Sequence, residues 1–405
     1  MVARGTDNRW PSHSAPSHGR LDRQRPARCI YRERVARARA DDCPGALALH
    51  QAADGALARI RLPGGMITAD QLRALARAAS GFGSPAMELT SRGNIQIRAI
   101  NDADAVSEAI SAAGLLPSAT HERVRNIVAS PLSGRAGEFP DVRGWVGDLD
   151  AALQAEPDCA ALPGRFLFGI DDGRGDVSGL ETDVGVHVLD GDAALLLAGR
   201  DTGVRLSAAE VVPTLTAVAR RFARTRQKAW RISELDDSAQ LLGGLAPWAP
   251  PGRTWAPVLR APAGWIPQSD GRVTLGAGVP LGVLQAGVAE YLAAVDAPVV
   301  ITPWRSVLVC DLDEGVADAA LRVLAPLGLI FDEGSPWLSV SACTGSPGCA
   351  KSAADVRSDV AELLTHGRRS EAAHRHYVGC DRACGSPPAG EVLVATGDGY
   401  RLLRS

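Results

Sequence analysis

Four cysteines near the end of this 405-residue chain offer the clearest chemistry in it. Cys343 and Cys349 stand as Cys-x5-Cys in SACTGSPGCAKS, and Cys380 and Cys384 as Cys-x3-Cys in HYVGCDRACGSP. Four thiolates at the necks of two Gly/Pro-rich loops suit a tetrahedral, sulfur-binding metal centre. A 4Fe–4S cluster fits the spacing better than zinc, whose ribbons use tighter Cys-x2-Cys knuckles. A structural zinc site is the alternative. A cluster would make the chain an electron carrier and a redox enzyme. After Cys349, Ser352-x-x-Asp355 reads as the cap of a helix with apolar face Val356, Val360, Leu363 and Leu364. Its free backbone N–H groups would then face the cluster sulfurs. Lys351 and Arg382 flank the loops, either tuning the cluster potential or standing as plain surface charges. His374 and His376 read as packing or surface residues.

Arginines form the second theme. Arg92 and Arg98 lie in ELTSRGNIQIR, Arg123 and Arg125 precede Ile127-Val128-Ala129, and Arg165 follows Leu162-Pro163-Gly164. Arginine grips carboxylates through a planar, bidentate fork. A set converging on one place would hold a polycarboxylate such as a tetrapyrrole, with Arg92 the strongest candidate and Arg98 the weakest. The glycine-rich stretch Gly169–Asp176 lacks GxGxxG and reads as a loop, so a dinucleotide reductant would belong to a separate partner.

Bulk properties narrow the setting. The net charge of −3 gives no global field for nucleic acid. No apolar run approaches the roughly 18 residues of a membrane helix. No signal-peptide core opens the chain, which points to the cytoplasm, where thiols stay reduced. Residues 1–42, rich in Arg, Ser, His and Pro, read as a disordered tail. Cys310, after Val307-Leu308-Val309, reads as a buried strand residue.

The elements that must position these residues repeat. Thr68-x-x-Gln71 reads as a capping box, followed by Leu72, Leu75, Ala76 and Ala79 at helical spacing and then the ELTSRGNIQI strand. About 212 residues later Leu284, Val288, Tyr291 and Leu292 mark a helix, and Ile301-Thr302-Pro303-Trp304-Arg305-Ser306-Val307 repeats the strand text with one extra residue. An offset of 213 places Ser130 where Cys343 stands, and Phe168-Gly169-Ile170-Asp171 parallels Val378-Gly379-Cys380-Asp381. Duplication and fusion with pseudo-twofold symmetry explains the pattern, with cysteines only in the second copy. Alternating strands and helices imply an α+β architecture.

Together these motifs resemble the nitrite and sulfite reductase family, over roughly residues 43–405. The resemblance implies duplicated ferredoxin-like half-domains and sirohaem/iron–sulfur α/β domains: half-domains at 43–117 and 265–325, reductase-type domains at 118–240 and 326–405, and a linker at 241–264. It implies that Cys343, Cys349, Cys380 and Cys384 bind a 4Fe–4S cluster, with Cys384 facing the reacting metal, and that Arg92, Arg125 and Arg165 bind substrate. Leu167 departs from the pattern, since the reductases carry a second basic residue there. By likeness alone, Cys43-Pro44-Gly45, the stretch Ala53–Gly65 and ELTSRGNIQ resemble an oxygen-using branch of this family in aerobic cobalamin biosynthesis. That branch implies precorrin-3A and O2 as substrates, a mononuclear non-haem iron, and electrons from NADH through a separate reductase. The alternatives are a sirohaem-dependent sulfite or nitrite reductase and a non-enzymatic electron-transfer protein.

Overall fold

Two copies of one strand–helix order build an α+β chain, whose computed structural model describes residues 43–367 and 372–405. The expected tail at 1–42, with Cys29, lies outside the described residues. The first copy runs β1 (His50–Ala52), β2 (Gly55–Ile60), β3 (Met66–Ile67), α1 (Ala69–Phe82), β4 (Ala86–Leu89), β5 (Ile95–Ile100) and α2 (Ala103–Ala112). It continues through β6 (Ile127–Ala129), α3 (Arg143–Ala155), β7 (Phe168–Asp171), β8 (Val184–Val188), β9 (Ala193–Leu197), β10 (Arg200–Leu206) and α4 (Ala208–Thr225). The second copy runs β11 (Gly264–Pro267), β12 (Val273–Gly278), β13 (Val283–Gln285), α5 (Ala286–Ala294), β14 (Val299–Ile301), β15 (Ser306–Leu312) and α6 (Glu314–Leu324). It ends with β16 (Val340–Ala342), α7 (Val356–Thr365), β17 (Arg375–Val378), β18 (Glu391–Thr396) and β19 (Gly399–Arg404).

The Thr68/Gln71 capping box closes as expected and starts α1, whose Leu72, Leu75, Ala76 and Ala79 are buried. Helix α1 packs on α5, and both sheets beneath them share one core that includes Leu72, Leu75, Ile97, Leu292 and Val309. Each such aliphatic side chain contributes about 1.5–3 kcal/mol on burial. Leu284, expected to head the second helix, lies instead in β13. The chain there is extended because it pairs with β4 of the other copy. Reciprocally, β3 pairs with β14. The sheets are therefore β1-β2-β5-β4-β13 and β11-β12-β15-β14-β3, each completed by a strand lent from the opposite half.

Each lent strand follows a short turn, Pro63-Gly64-Gly65 or Pro280-Leu281-Gly282. Gly65 (φ 71°) and Gly93 (φ 66°) both abut the Ile301 carbonyl so closely that a β-carbon at either would collide with it. The Leu-Pro-Gly-Gly passage is thus the crossing point of the two halves, which gives it a physical role.

Two further sheets, of five and four strands, complete the molecule. In one, β6, β7 and β8 are parallel and β9 and β10 antiparallel; in the other, β16, β17 and β18 are parallel and β19 antiparallel. The Ser130 N–H donates to Ile170 O at 3.1 Å, and the Cys343 N–H to Tyr377 O at 2.9 Å, so Ser130 occupies the place of Cys343.

Two details of the expected repeat are corrected. Ile127 pairs with Phe168 as Val340 pairs with Arg375, so β7 matches Arg375–Val378 and Gly173, not Ile170, stands at the position of Cys380. Strand register, which a three-residue slip would break, decides this. The turns after β4 and β14 also have equal length: the Thr90 N–H meets Asn94 O at 2.9 Å and the Thr302 N–H meets Ser306 O at 3.0 Å. Trp304 therefore matches Arg92, and Arg305 (φ 59°) matches Gly93.

Between the copies, the strap through 241–264 donates from Trp248 and Gly252 to Gly203 and Asp201 on β10 and accepts the Trp304 ring N–H at Val258 O, 2.7 Å. Among the described residues, no helix is long and apolar enough to cross a membrane.

Candidate metal centre and arginine cluster

Both cysteine pairs lie just beyond the C-terminal ends of the adjacent parallel strands β16 and β17. Ala342 pairs with Tyr377, which sets Cys343 and Cys380 on neighbouring loops of one sheet edge. This is where open α/β sheets present their ligands. The Gly379 N–H donates to Cys343 Sγ at 3.3 Å, a bond that favours a sulfur carrying negative charge. The first copy repeats this contact as Asp172 N–H to Ser130 Oγ, 3.1 Å. Burial raises the Cys343 thiol above its ordinary range, opposed by the Gly379 N–H. Cys343, Cys349 and Cys380 are partly buried and Cys384 is exposed. Cys384 feels the charges of Cys343 and Cys380, and Cys343 that of Cys349, so the four thiols form one electrostatic group.

This donor set fits a 4Fe–4S cluster. The compact grouping of possible metal ligands among the described residues is Asp171, Asp172 and Asp176, with ligand atoms within 4.8 Å of one another, and no cysteine belongs to a group that compact. A single zinc ion, at about 2.3 Å from each sulfur, would draw four thiolates to roughly 3.8 Å apart. The helix cap differs from expectation. Asp355 itself caps α7, accepting from the Ser358 N–H at 3.1 Å, and Ser352 Oγ donates to Ala354 O at 2.7 Å. Because α7 begins only at Val356, Gly379 and not the helix end serves the Cys343 sulfur.

Charges around the loops also differ from the flanking pair considered from sequence. Lys351 and Arg382 are exposed. The buried charges come from the first copy. Arg98 holds Asp54 through a bidentate pair at 2.9 and 2.8 Å and donates to Gly348 O at 2.7 Å, one residue before Cys349. Glu88 on β4 is buried; it accepts from Arg357 at 2.7 Å and from Thr344, next to Cys343, at 3.3 Å. Arg98, the weakest candidate by sequence, therefore anchors the cysteine loop across the interface between the halves. Its position was invisible because the two segments lie 250 residues apart.

The arginines converge in part. Arg92 donates to Arg165 O at 3.4 Å and has no carboxylate partner among the described residues. Burial, together with Arg231 and Arg59, lowers Arg92 to about 10. Arg165 stacks over Trp230 with its guanidinium 5.2 Å from the ring centre, and its charge reaches Cys384. Arg61, not singled out from sequence, completes the group. It is 2 % exposed and donates to Arg123 O at 3.2 Å and Pro44 O at 3.1 Å, while its second terminal nitrogen (Nη1) has no partner. Burial, then the charge of Arg59, pulls Arg61 well below the usual arginine range. A buried cation with an unused donor marks a place for an anion.

Arg125 is the exception. Its Nε and Nη2 form a bidentate pair with Asp150 at 2.6 and 2.8 Å, so this part of its fork is held by the protein itself. Asn94 and Asn126 tie the site loops together: Asn94 accepts the Leu62 N–H at 2.9 Å and donates to Asn126 at 3.1 Å, which donates to Gly164 O at 3.0 Å. Asn94 and Asn126 could have been found as polar residues bracketed by apolar strand text. Leu167 is buried, and no cation stands at its position.

Asp171, Asp172 and Asp176 occupy the loop matching the second cysteine pair, but five of their six carboxylate oxygens accept hydrogen bonds. Asp171 accepts the N–H groups of Gly173, Gly175, Val177 and Ser178; Asp172 holds Arg174; Asp176 accepts Ser130 Oγ at 2.6 Å. Burial and the charge of Asp171 push Asp176 up to about 7. These bonds build a loop, so the triad does not fit as the ligand set of a mononuclear iron. The stretch expected to be a loop at Gly169–Asp176 accordingly begins on β7.

Residues 50–113 match the nitrite/sulfite reductase ferredoxin-like half domain. A precorrin-3B synthase of Sinorhizobium sp is 28% identical over 391 residues, covering 91% of this chain and 83% of that protein. A ferredoxin–nitrite reductase of Synechococcus elongatus is 35% identical over 127 residues, 29% of this chain and 25% of that protein. One of Leptolyngbya laminosa is 30% identical over 152 residues, 35% of this chain and 28% of that protein. The solved structure of the Mycobacterium tuberculosis NirA protein shares the fold, with a TM-score of 0.71 at 18% identity, covering 86% of this chain and 74% of that one.

Proposed function

We propose that this chain, which carries the nitrite/sulfite reductase ferredoxin-like half domain and the corresponding fold, acts as a precorrin-3B synthase. The reaction is O2-dependent hydroxylation of precorrin-3A at C20 with closure of a ring acetate as a lactone. One oxygen atom enters the product and the other leaves as water, which consumes two electrons and two protons. The carrying observation is the adjoining placement of the Arg61, Arg92 and Arg165 group and the cysteine loops, with Arg165 within electrostatic reach of both Arg92 and Cys384. A 4Fe–4S cluster held by Cys343, Cys349, Cys380 and Cys384 would supply single electrons. Arg61, Arg92 and Arg165 bind substrate carboxylates and orient the macrocycle toward Cys384, a positioning role. Arg125 braces the site through Asp150. Electrons come from NADH through a separate reductase. No step is assigned to a mononuclear iron, since the compact acidic group does not fit one. Buried Leu167 disfavours the sirohaem-dependent reductase reading, because an inorganic anion site would lack its second cation.

The test is anaerobic purification with iron and sulfide analysis, an absorption spectrum, and an O2-dependent assay with precorrin-3A. A broad iron–sulfur spectrum and hydroxylated product are expected. A sirohaem spectrum with nitrite or sulfite reduction would overturn the reading. Arg92→Ala and Arg61→Met should weaken substrate binding roughly tenfold to a hundredfold with the fold retained, as loss of a charged hydrogen bond implies. Arg125→Ala should instead lower Tm, because it strands Asp150.

A further inference from the structure

Three side chains behind the cysteine loops form a chain that neither the fold nor the proposed reaction explains. Ser341 Oγ lies 2.8 Å from His374 Nε2 and 2.7 Å from His376 Nδ1, and His376 Nε2 lies 3.0 Å from the Cys384 carbonyl oxygen. All three residues are buried, His376 completely. Counting hydrogens fixes every tautomer. A carbonyl only accepts, so His376 Nε2 carries its hydrogen and the neutral ring accepts at Nδ1. Ser341 must give its one hydroxyl hydrogen to that Nδ1, so it accepts from His374 Nε2–H. The chain therefore runs in one direction, from His374 through Ser341 and His376 to Cys384. The left-over Nδ1 of His374 is buried without a donor, a cost that points to a purpose for the ring.

The pseudo-symmetry supplies a control. By strand register, Ser341 and His376 pair as Val128 and Gly169 do in the first copy, and His374 falls at the position of Leu167. The first copy, which has no cysteines at this edge, has none of the three polar residues. The next carbonyl, that of Gly385, accepts from Arg305 at 2.6 Å. Two consecutive carbonyls at the most exposed of the four cysteines are thus held from behind, one by the histidine chain and one by the strained Arg305.

We infer that Ser341, His374 and His376 are positioning residues that fix the Cys384 loop and so hold the fourth cluster ligand in place. Bonds aligned in one direction polarise one another, which strengthens the last one, at Cys384. Outer partners of this kind orient metal ligands, and their loss typically costs ten- to a hundredfold in metal retention. The inference rests on the cluster reading above.

The experiment compares wild type with His376→Phe, His376→Gln, Ser341→Ala and Cys384→Ser after anaerobic purification. It reads iron and sulfide per chain, the rate of iron loss to 1,10-phenanthroline, and the electron paramagnetic resonance spectrum of the dithionite-reduced protein. His376→Phe fills the ring's space without the donor and should lose iron roughly ten- to a hundredfold faster, with shifted g-values. His376→Gln, which can still donate to the carbonyl, should return both toward wild type. A merely structural histidine would move Tm but not the spectrum. If His376→Phe keeps the wild-type rate and spectrum while Cys384→Ser loses the cluster, the inference falls and the cluster reading stands. If wild type binds no iron and sulfide, both fall. Should His376→Phe not fold, Ser341→Ala decides: faster iron loss with shifted g-values supports the chain, and wild-type behaviour overturns it.

Discussion

Burial shifts the charge of ionisable side chains, and two of them define the residue scale here. Arg61 keeps an unused donor amid other arginines, which is intelligible where an anionic ligand completes the site. Asp176 is the opposite case, a carboxyl that burial and Asp171 hold up to about 7. Its folded value exceeds the unfolded one, about 3.9. The folded state thus binds the proton more tightly, and that stabilisation is full below the unfolded value and lost as pH rises through about 7. Asp176→Asn keeps an acceptor for Ser130 and cannot ionise. Thermal melts should show its Tm exceeding wild type by a few degrees above about pH 7, with the gap closing toward about pH 4. A gap of constant size across that range would refute the assignment. The cysteines and Arg92 were legible in sequence because their types name their chemistry. Arg61 was not, since an arginine between apolar residues of a strand end reads as a surface charge until burial is known.

At the scale of elements, the crossing of the halves depends on contacts smaller than a methyl group. Gly65→Ala would set a β-carbon against the Ile301 carbonyl at a left-handed backbone position, at a cost of about 3 kcal/mol or more. Gly287→Ala, on the open face of α5, should be neutral or stabilise by up to about 1 kcal/mol. Denaturant melts of the two variants check the contrast; equal effects would show that the crossing tolerates separation. Helix α1 was readable to the residue, because capping chemistry and periodicity are local. Strand β13 was not. Leu284 fits a helical period, and only pairing with Glu88–Ala86 on a distant strand draws its segment into extension. The slip at β7 has the same origin, since pairing fixes register and a sequence comparison does not.

For the whole molecule, the duplication was visible in the sequence but the exchange of strands between copies was not, as it arises from pairing between segments roughly 200 residues apart. One core spans both ferredoxin-like sheets, and Arg98 and Glu88 reach across to the cysteine loops. Joined this way, the halves need no covalent strap. A protease site placed within 241–264 and cut under native conditions should leave one particle of unchanged size by gel filtration. Separation into two halves would show that the exchanged strands contribute little.

The lent strand β13 has a further consequence during synthesis. The edge of β4 is made close to two hundred residues before its partner. At roughly 5–20 residues per second, the ribosome takes on the order of 10–40 s to supply it. Through that interval the nascent first sheet carries an open strand edge, which invites pairing with neighbouring chains. Yield in a producing cell should therefore depend more on crowding of nascent chains and on chaperone supply than on the stability of the finished protein.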